Sequence, residues 1–177
     1  MKTLILILGT CFFVNAQAQT GEVFPLLIGQ TVNGEVIDLP ESVQEKYTFI
    51  GIAFSKNSQE QFESWVNPVY NKFIARTGML DDLYDVKTYF IALFTGAKKS
   101  AMAGVMKRMK AKSDENIFPH VLFYKGEIDI YKQKLKLEDK SKAYVFLLDS
   151  EGKIIYSTAG VYTKKKMLEI EKLILDD

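Results

Sequence analysis

Cysteine occurs once in this 177-residue chain, at Cys11, and histidine once, at His120. There are four prolines, all isolated, and no Pro/Gly/Ser-rich run or internal repeat divides the sequence. An excess of one charge is also missing, with 23 Lys plus Arg against 22 Asp plus Glu. No stretch approaches the ~20 apolar residues that a membrane-spanning helix needs. A metal cluster wants several His, Cys or carboxylate ligands at defined spacing, and none is present. Any Ser–His–Asp arrangement would have to use His120, which sits beside Pro119 and reads as a structural residue at a strand start. No phosphate-cradling glycine pattern occurs, so no cofactor is expected. The balanced charge argues against nucleic acid as a partner, since that needs surplus positive charge.

What is present begins with an address. Met1-Lys2-Thr3 is followed by an apolar run from Leu4 to Val14 and then by Ala16-Gln17-Ala18. A short basic start, an apolar middle and a small-x-small site are the parts of a cleavable signal peptide. Residues 1–18 are therefore expected to be removed and 19–177 to fold as one domain, periplasmic or secreted, with no transmembrane segment. Removing Lys2 leaves 22 basic residues against 22 acidic ones. Cys11 lies in the apolar run, so the mature chain carries no thiol. The alternative is a lipid anchor: Leu8-Gly9-Thr10-Cys11 resembles a bacterial lipoprotein box, although Thr10 is poor before the cysteine and the run continues through Phe12 and Phe13.

The elements follow from patterning. Gly21 to Gly34 reads as mostly loop, and Val36 to Leu39 as a short strand stopped by Pro40. Tyr47 to Phe54 is aromatic, β-branched and uncharged, which predicts a central strand buried on both faces. Ser58, with Gln61 three residues on, is expected to cap the next helix. Phe62, Trp65, Val66, Val69 and Phe73 recur at helical spacing, Pro68 predicts a kink, and Gly78 a stop. Val86 to Phe94 is a second buried strand, adjacent and parallel to the first. A helix face follows at Met102, Val105, Met106 and Met109. Val121 to Tyr124 predicts a strand, Lys125-Gly126-Glu127 a turn, and Ile130 to Leu137 a short helix. Tyr144 to Asp149 and Ile154 to Ser157 form a hairpin, with the first strand antiparallel to Phe49–Phe54 on its far side. Thr163 then opens a helix carrying Met167, Ile170, Leu173 and Ile174. The fold class is α/β, a mixed central sheet with helices on both faces.

Two stretches carry a resemblance. Phe49 to Trp65, a strand–turn–helix, and Phe146-Leu147-Leu148-Asp149-Ser150-Glu151-Gly152-Lys153-Ile154, a hairpin, resemble the thioredoxin-like superfamily of redoxins and periplasmic thiol–disulfide proteins. More narrowly, Phe54-Ser55, Ser64-Trp65-Val66-Asn67-Pro68 and Ala143 to Asp149 with Gly152-Lys153-Ile154 are similar to the mitochondrial ATP-synthase assembly chaperone family. That family is itself thioredoxin-like and acts by holding a membrane subunit during assembly. An export signal stands here in place of a mitochondrial address, so the same client does not carry over.

The resemblance implies a nucleophilic cysteine after the central strand, where the helix N-terminus lowers its pKa. In this chain that place is Ser55-Lys56-Asn57-Ser58-Gln59, and a hydroxyl cannot replace a thiolate in disulfide exchange. It also implies a proline before the hairpin strand, usually cis; that position is Ala143. The expectation is a non-enzymatic, redox-inactive envelope protein that binds a protein or peptide client or assists assembly, with the groove between Ser55–Gln59 and Ala143 as first candidate surface. The alternative, a redoxin-type oxidoreductase or peroxidase, would need Cys11 retained or a partner's cysteine. A second candidate is the basic face of Lys98, Lys99, Lys107 and Arg108, continued by Lys110 and Lys112 without an acid. It would dock an acidic partner or an anionic membrane surface, unless its methionines simply face the core. Lys164-Lys165-Lys166 opposes the dipole of the last helix. Asp81, Asp82 and Asp85 read as a solvated loop.

Overall fold

The computed structural model describes residues 20–53 and 55–176. The expected signal peptide, its cleavage site and Cys11 lie outside the described residues, as does Phe54.

Among the described residues seven strands form one sheet: β1 (Leu27–Thr31), β2 (Val36–Leu39), β3 (Tyr47–Ala53), β4 (Val86–Thr95), β5 (Val121–Gly126), β6 (Tyr144–Leu148) and β7 (Ile154–Ala159). Their order across the sheet is β2-β1-β5-β4-β3-β6-β7. The uninterrupted apolar runs sit at its centre, because a strand covered on both faces can leave neither side to water. β3 and β4 pair in parallel from Tyr47↔Val86 to Ala53↔Ala92, and β6 pairs antiparallel with β3 on the far side. β6 and β7 close the expected hairpin. Its turn is built by Asp149, whose carboxylate accepts the N–H groups of Glu151 and Lys153, and by Gly152, whose φ of 79° favours glycine.

Among the described residues four α-helices cover the two faces: α1 (Lys56–Val69), α2 (Met102–Lys112), α3 (Asp129–Lys134) and α4 (Lys164–Leu175). Alternation along the strands divides the core in two. On one face Phe49, Phe90, Val145 and Leu147 pack with Phe62 and Trp65 of α1 and with Met167 and Ile170 of α4; α2 adds its apolar side here. On the other, Ile50, Ile52, Ile91 and Phe146 pack with Phe24, Leu27 and Leu39 and with Tyr131 of α3. Trp65 is fully buried; its ring meets Tyr162 edge-on at 5.4 Å, and Nε1–H donates to Gly160 O at 2.9 Å. Gly51 is required for this packing: a Cβ there would lie 2.2 Å from the Phe62 ring.

Four expectations need correction. Leu27–Thr31 is a strand, not loop; it alternates buried and exposed, and Gly29 in its middle hides that pattern. β5 runs through Lys125 and Gly126, where a turn was expected, because it stays paired with Phe94 and Thr95 of β4. α1 does not run on to Gly78. Pro68 has no N–H to donate, and the helix changes at Tyr70–Ile74 into a π-helical turn in which Ala75 N–H bonds Tyr70 O. Asp81 is buried, not solvated: its carboxylate accepts the Gly78 N–H at 2.7 Å and pairs with Lys72 at 3.0 Å. Lys72 also reaches Glu171 of α4 at 3.3 Å, so this cluster ties α4 to the turn that follows α1.

Candidate functional site

β3 delivers the chain to the N-terminus of α1, where thioredoxin-like enzymes keep their nucleophile. Ser55, not Ser58, is the N-cap, because its backbone is still extended (φ −138°, ψ 167°). Ser58 is the third residue of the helix and completes a reciprocal capping box in place of Gln61. Ser55 N–H donates to Ser58 Oγ at 2.8 Å, and Ser58 N–H to Ser55 Oγ at 3.0 Å. Ser58 O–H then donates to Ser55 O at 2.9 Å, and Ser55 O–H to Lys140 O at 2.5 Å. Both hydroxyls are spent on holding the turn and pinning it to the loop before β6. The two oxygens lie 3.1 Å apart, the disposition of a dithiol without the sulfur.

Around this cap the expected site residues separate. Lys56, Asn57 and Gln59 are exposed, and Ser58 is fully buried. Ala143 is buried, and its carbonyl accepts the N–H of Gly160 at 2.7 Å. The cis peptide found among the described residues is Leu39–Pro40, remote in sequence from Ala143. His120 bridges strands: its Nδ1 lies 3.0 Å from Thr88 O, and burial lowers its pKa despite that hydrogen bond. Among the described residues no three His, Cys, Asp or Glu side chains converge on a possible metal site. No described helix is long and apolar enough to cross a membrane.

A groove of about 640 Å³ lies between α1 and α2 over the sheet. Its floor is aromatic and aliphatic: Phe90, Phe94, Val121 and Phe123. Phe62 and Val66 of α1, with Tyr70 of the turn after it, form one wall, and Val105, Met109 and Ile117 the other. Ser55, Lys56 and Gln59 line one rim, and Lys98 also lines the groove. The structure thus brings together residues from both candidate surfaces, while Ala143 is not among the lining residues. The groove was not readable from the sequence, because its lining comes from six separate segments; the helical periodicity of α2 was the one available signal.

α2 buries none of its residues completely; Met102, Val105, Met106 and Met109 are half-buried against the core, while Lys107, Arg108, Lys110 and Lys112 are exposed. Lys99 is paired with Glu127. At the other end of this face, Lys166 turns back from the first turn of α4. Its Nζ donates to Ala159 O at 2.8 Å and Val161 O at 2.9 Å and lies 5.8 Å from the Trp65 ring centroid. Burial lowers its pKa. A cation against the helix dipole is tolerated here because those carbonyls and the ring receive it.

Comparison with known proteins agrees with this architecture. The structure is similar to that of a thiol:disulfide interchange protein from Bacteroides sp., with a TM-score of 0.54, 15% identity, and 89% of this chain and 91% of that one covered. It is likewise similar to a peroxiredoxin-like protein from Aquifex aeolicus (TM-score 0.55, 13% identity, 92% and 91% covered). A third is the exposed lipoprotein thioredoxin of Streptococcus pneumoniae (TM-score 0.56, 14% identity, 84% and 99% covered). At such identities these neighbours establish a thioredoxin-like fold. No protein of curated function matches the sequence. The family model described as ATP10 protein matches residues 11–174, nearly the whole chain, and the chain therefore belongs to the ATP10 family.

Proposed function

We propose that this protein is a non-catalytic thioredoxin-like envelope protein that holds a protein client, in the manner of an assembly factor, through the groove between α1 and α2. The observation that carries this reading is the groove itself, an open apolar concavity of about 640 Å³ beside the vacated catalytic turn. Open α/β sheets bind their ligands outside the carboxyl ends of the strands, and Ala53 at the end of β3, Ser55 at the cap of α1 and Phe94 near the end of β4 line this one. Membership of the ATP10 family supports an assembly role.

The chemistry of the turn supports the non-catalytic half. Ser55 and Ser58 stand where the fold's enzymes carry thiols, and the hydrogen bonds that would tune a thiolate are spent on the capping box. The bonds also account for the Ser55 and Ser58 N–H groups, so an extended peptide at this turn is left with Lys56 and Asn57. The wider groove is the better surface. Export, with cleavage after Ala18, belongs to the same proposal and rests on the leader sequence.

The test is position-specific photocrosslinking in the producing cells. A photoreactive residue at Val66 or Met109, inside the groove, is expected to trap a discrete client. The same residue at Leu168, exposed on α4, is expected to trap none. Equal adducts at both places, or adducts at Leu168 alone, would overturn the assignment of the groove.

A further inference from the structure

The helices flanking the groove are charged unevenly. Between residues 97 and 113 the chain carries Lys98, Lys99, Lys107, Arg108, Lys110 and Lys112 and no carboxylate. Lys99 is engaged by Glu127, but the cations of α2 project from a helix whose apolar stripe is only half covered. Of the charged residues that line the groove, Lys56 and Glu63 belong to α1, Lys98 precedes α2 and Asp114 follows it, while Lys107, Arg108, Lys110 and Lys112 stand exposed on α2 outside the lining. The exposed side of α2 beside the groove is therefore positive, and that of α1, with Lys56, Glu60 and Glu63, is not.

We infer that the client segment is an amphipathic helix, with its apolar stripe in the α1–α2 groove and acidic side chains along the flank that faces α2. This inference rests on the groove being the client site. Three features favour a helix. The groove is bounded by two helices and floored by a sheet, so a third helix completes the layer. Recognition of that kind uses anchors at i, i+3, i+4 and i+7, and the aromatic floor offers depth for such side chains. Met109, the α2 methionine that lines the groove, gives this wall an unbranched, adaptable contact suited to following one. The acidic flank follows from charge complementarity: opposite potentials speed encounter and fix orientation, and a basic flank would meet like charge along the whole of α2.

The test uses three synthetic amphipathic peptides of about 18 residues, roughly five helical turns. They share one leucine stripe and differ only in an acidic, neutral or basic polar face. Binding to the protein, purified as its cells process it, is followed by fluorescence anisotropy. The acidic peptide is expected to bind about tenfold more tightly than the basic one at low salt, and the gap to shrink at high salt. In Lys107→Glu/Arg108→Glu/Lys110→Glu the preference is expected to reverse and the melting temperature to stay within a few degrees, because all three side chains are exposed. Equal binding of the three peptides would overturn the acidic flank and leave the groove reading standing. No binding, or binding unchanged by Val105→Asp in a variant that still folds, would overturn both. Adsorption to phosphatidylglycerol vesicles that the acidic peptide cannot compete away would replace the helix with a membrane surface.

Discussion

Truncating Trp65 tests the packing that holds α1 over the sheet. The side chain is fully buried, lies 6.1 Å from the Phe49 ring and meets Tyr162 edge-on. Large aromatic truncations in such places cost about 3–5 kcal/mol. Here the indole also satisfies Gly160 O and receives Lys166 over its face, so Trp65→Ala is expected in the upper half of that range. Single domains are stable by about 5–15 kcal/mol, so the variant should lose a large share of its stability. With a urea slope of about 2 kcal/mol per molar, the midpoint falls by about 2 M. Unfolding is followed by far-UV circular dichroism, since Trp65 is the sole tryptophan and its fluorescence is lost. Trp65→Phe keeps much of the ring contact and drops the N–H donor, and should cost about 1–2 kcal/mol. A loss below about 1 kcal/mol for Trp65→Ala would refute the reasoning and make Trp65 an exposed anchor instead.

Three further outcomes are expected. Gly51→Ala forces a Cβ against the Phe62 ring and should cost about 1–3 kcal/mol by denaturant titration; an unchanged midpoint would show that Phe62 gives way freely. Burial pushes the Asp81 carboxyl up, but hydrogen bonds from Lys72 and the Gly78 N–H outweigh it, and its folded pKa lies below the ordinary carboxylate range. The stability it contributes is then present above the unfolded carboxylate pKa and lost as pH falls through the folded one; Asp81→Asn should flatten the acid limb of a melting-temperature profile, and an identical limb would contradict the ion pair. Ser55→Cys/Ser58→Cys should close a disulfide in oxidising buffer that dithiothreitol reopens, visible as loss and return of two titratable thiols, because the parent oxygens already lie 3.1 Å apart; two thiols that stay free would mean the turn does not hold dithiol geometry.

The parts of this fold that were legible are those where local pattern and tertiary role coincide. β3 and β4 are uninterrupted apolar runs, so their central, parallel placement follows from burial on both faces. The Asp149–Gly152 turn announces its hairpin because the carboxylate and the left-handed glycine are local devices. That also explains why the most family-like motif indicates the fold and not the function: Asp149 and Gly152 build a turn on the chain's own backbone. What escaped was set by distant partners. Leu27–Thr31 needs β2 and β5 to become a strand. Asp81 looks solvated until Lys72 and Gly78 close on it. The choice between Ser55 and Ser58 as cap depends on where β3 releases the chain. The groove is assembled from Phe62, Phe94, Val105 and Phe123, residues that no sequence window contains together. The absence of the redox pair was legible because chemistry, not geometry, decides it.

The measurement that bears most directly on a thioredoxin-like domain working without thiol chemistry is turnover by the purified, naturally processed protein. Insulin reduction with dithiothreitol as donor and consumption of hydrogen peroxide are followed beside buffer blanks, with the Ser55→Cys/Ser58→Cys variant assayed in parallel. The account predicts rates at the blank for the natural protein in both assays, since neither serine can form the attacking thiolate. Turnover above the blank by the natural protein, reproduced across preparations and abolished by Ser55→Ala, would contradict it.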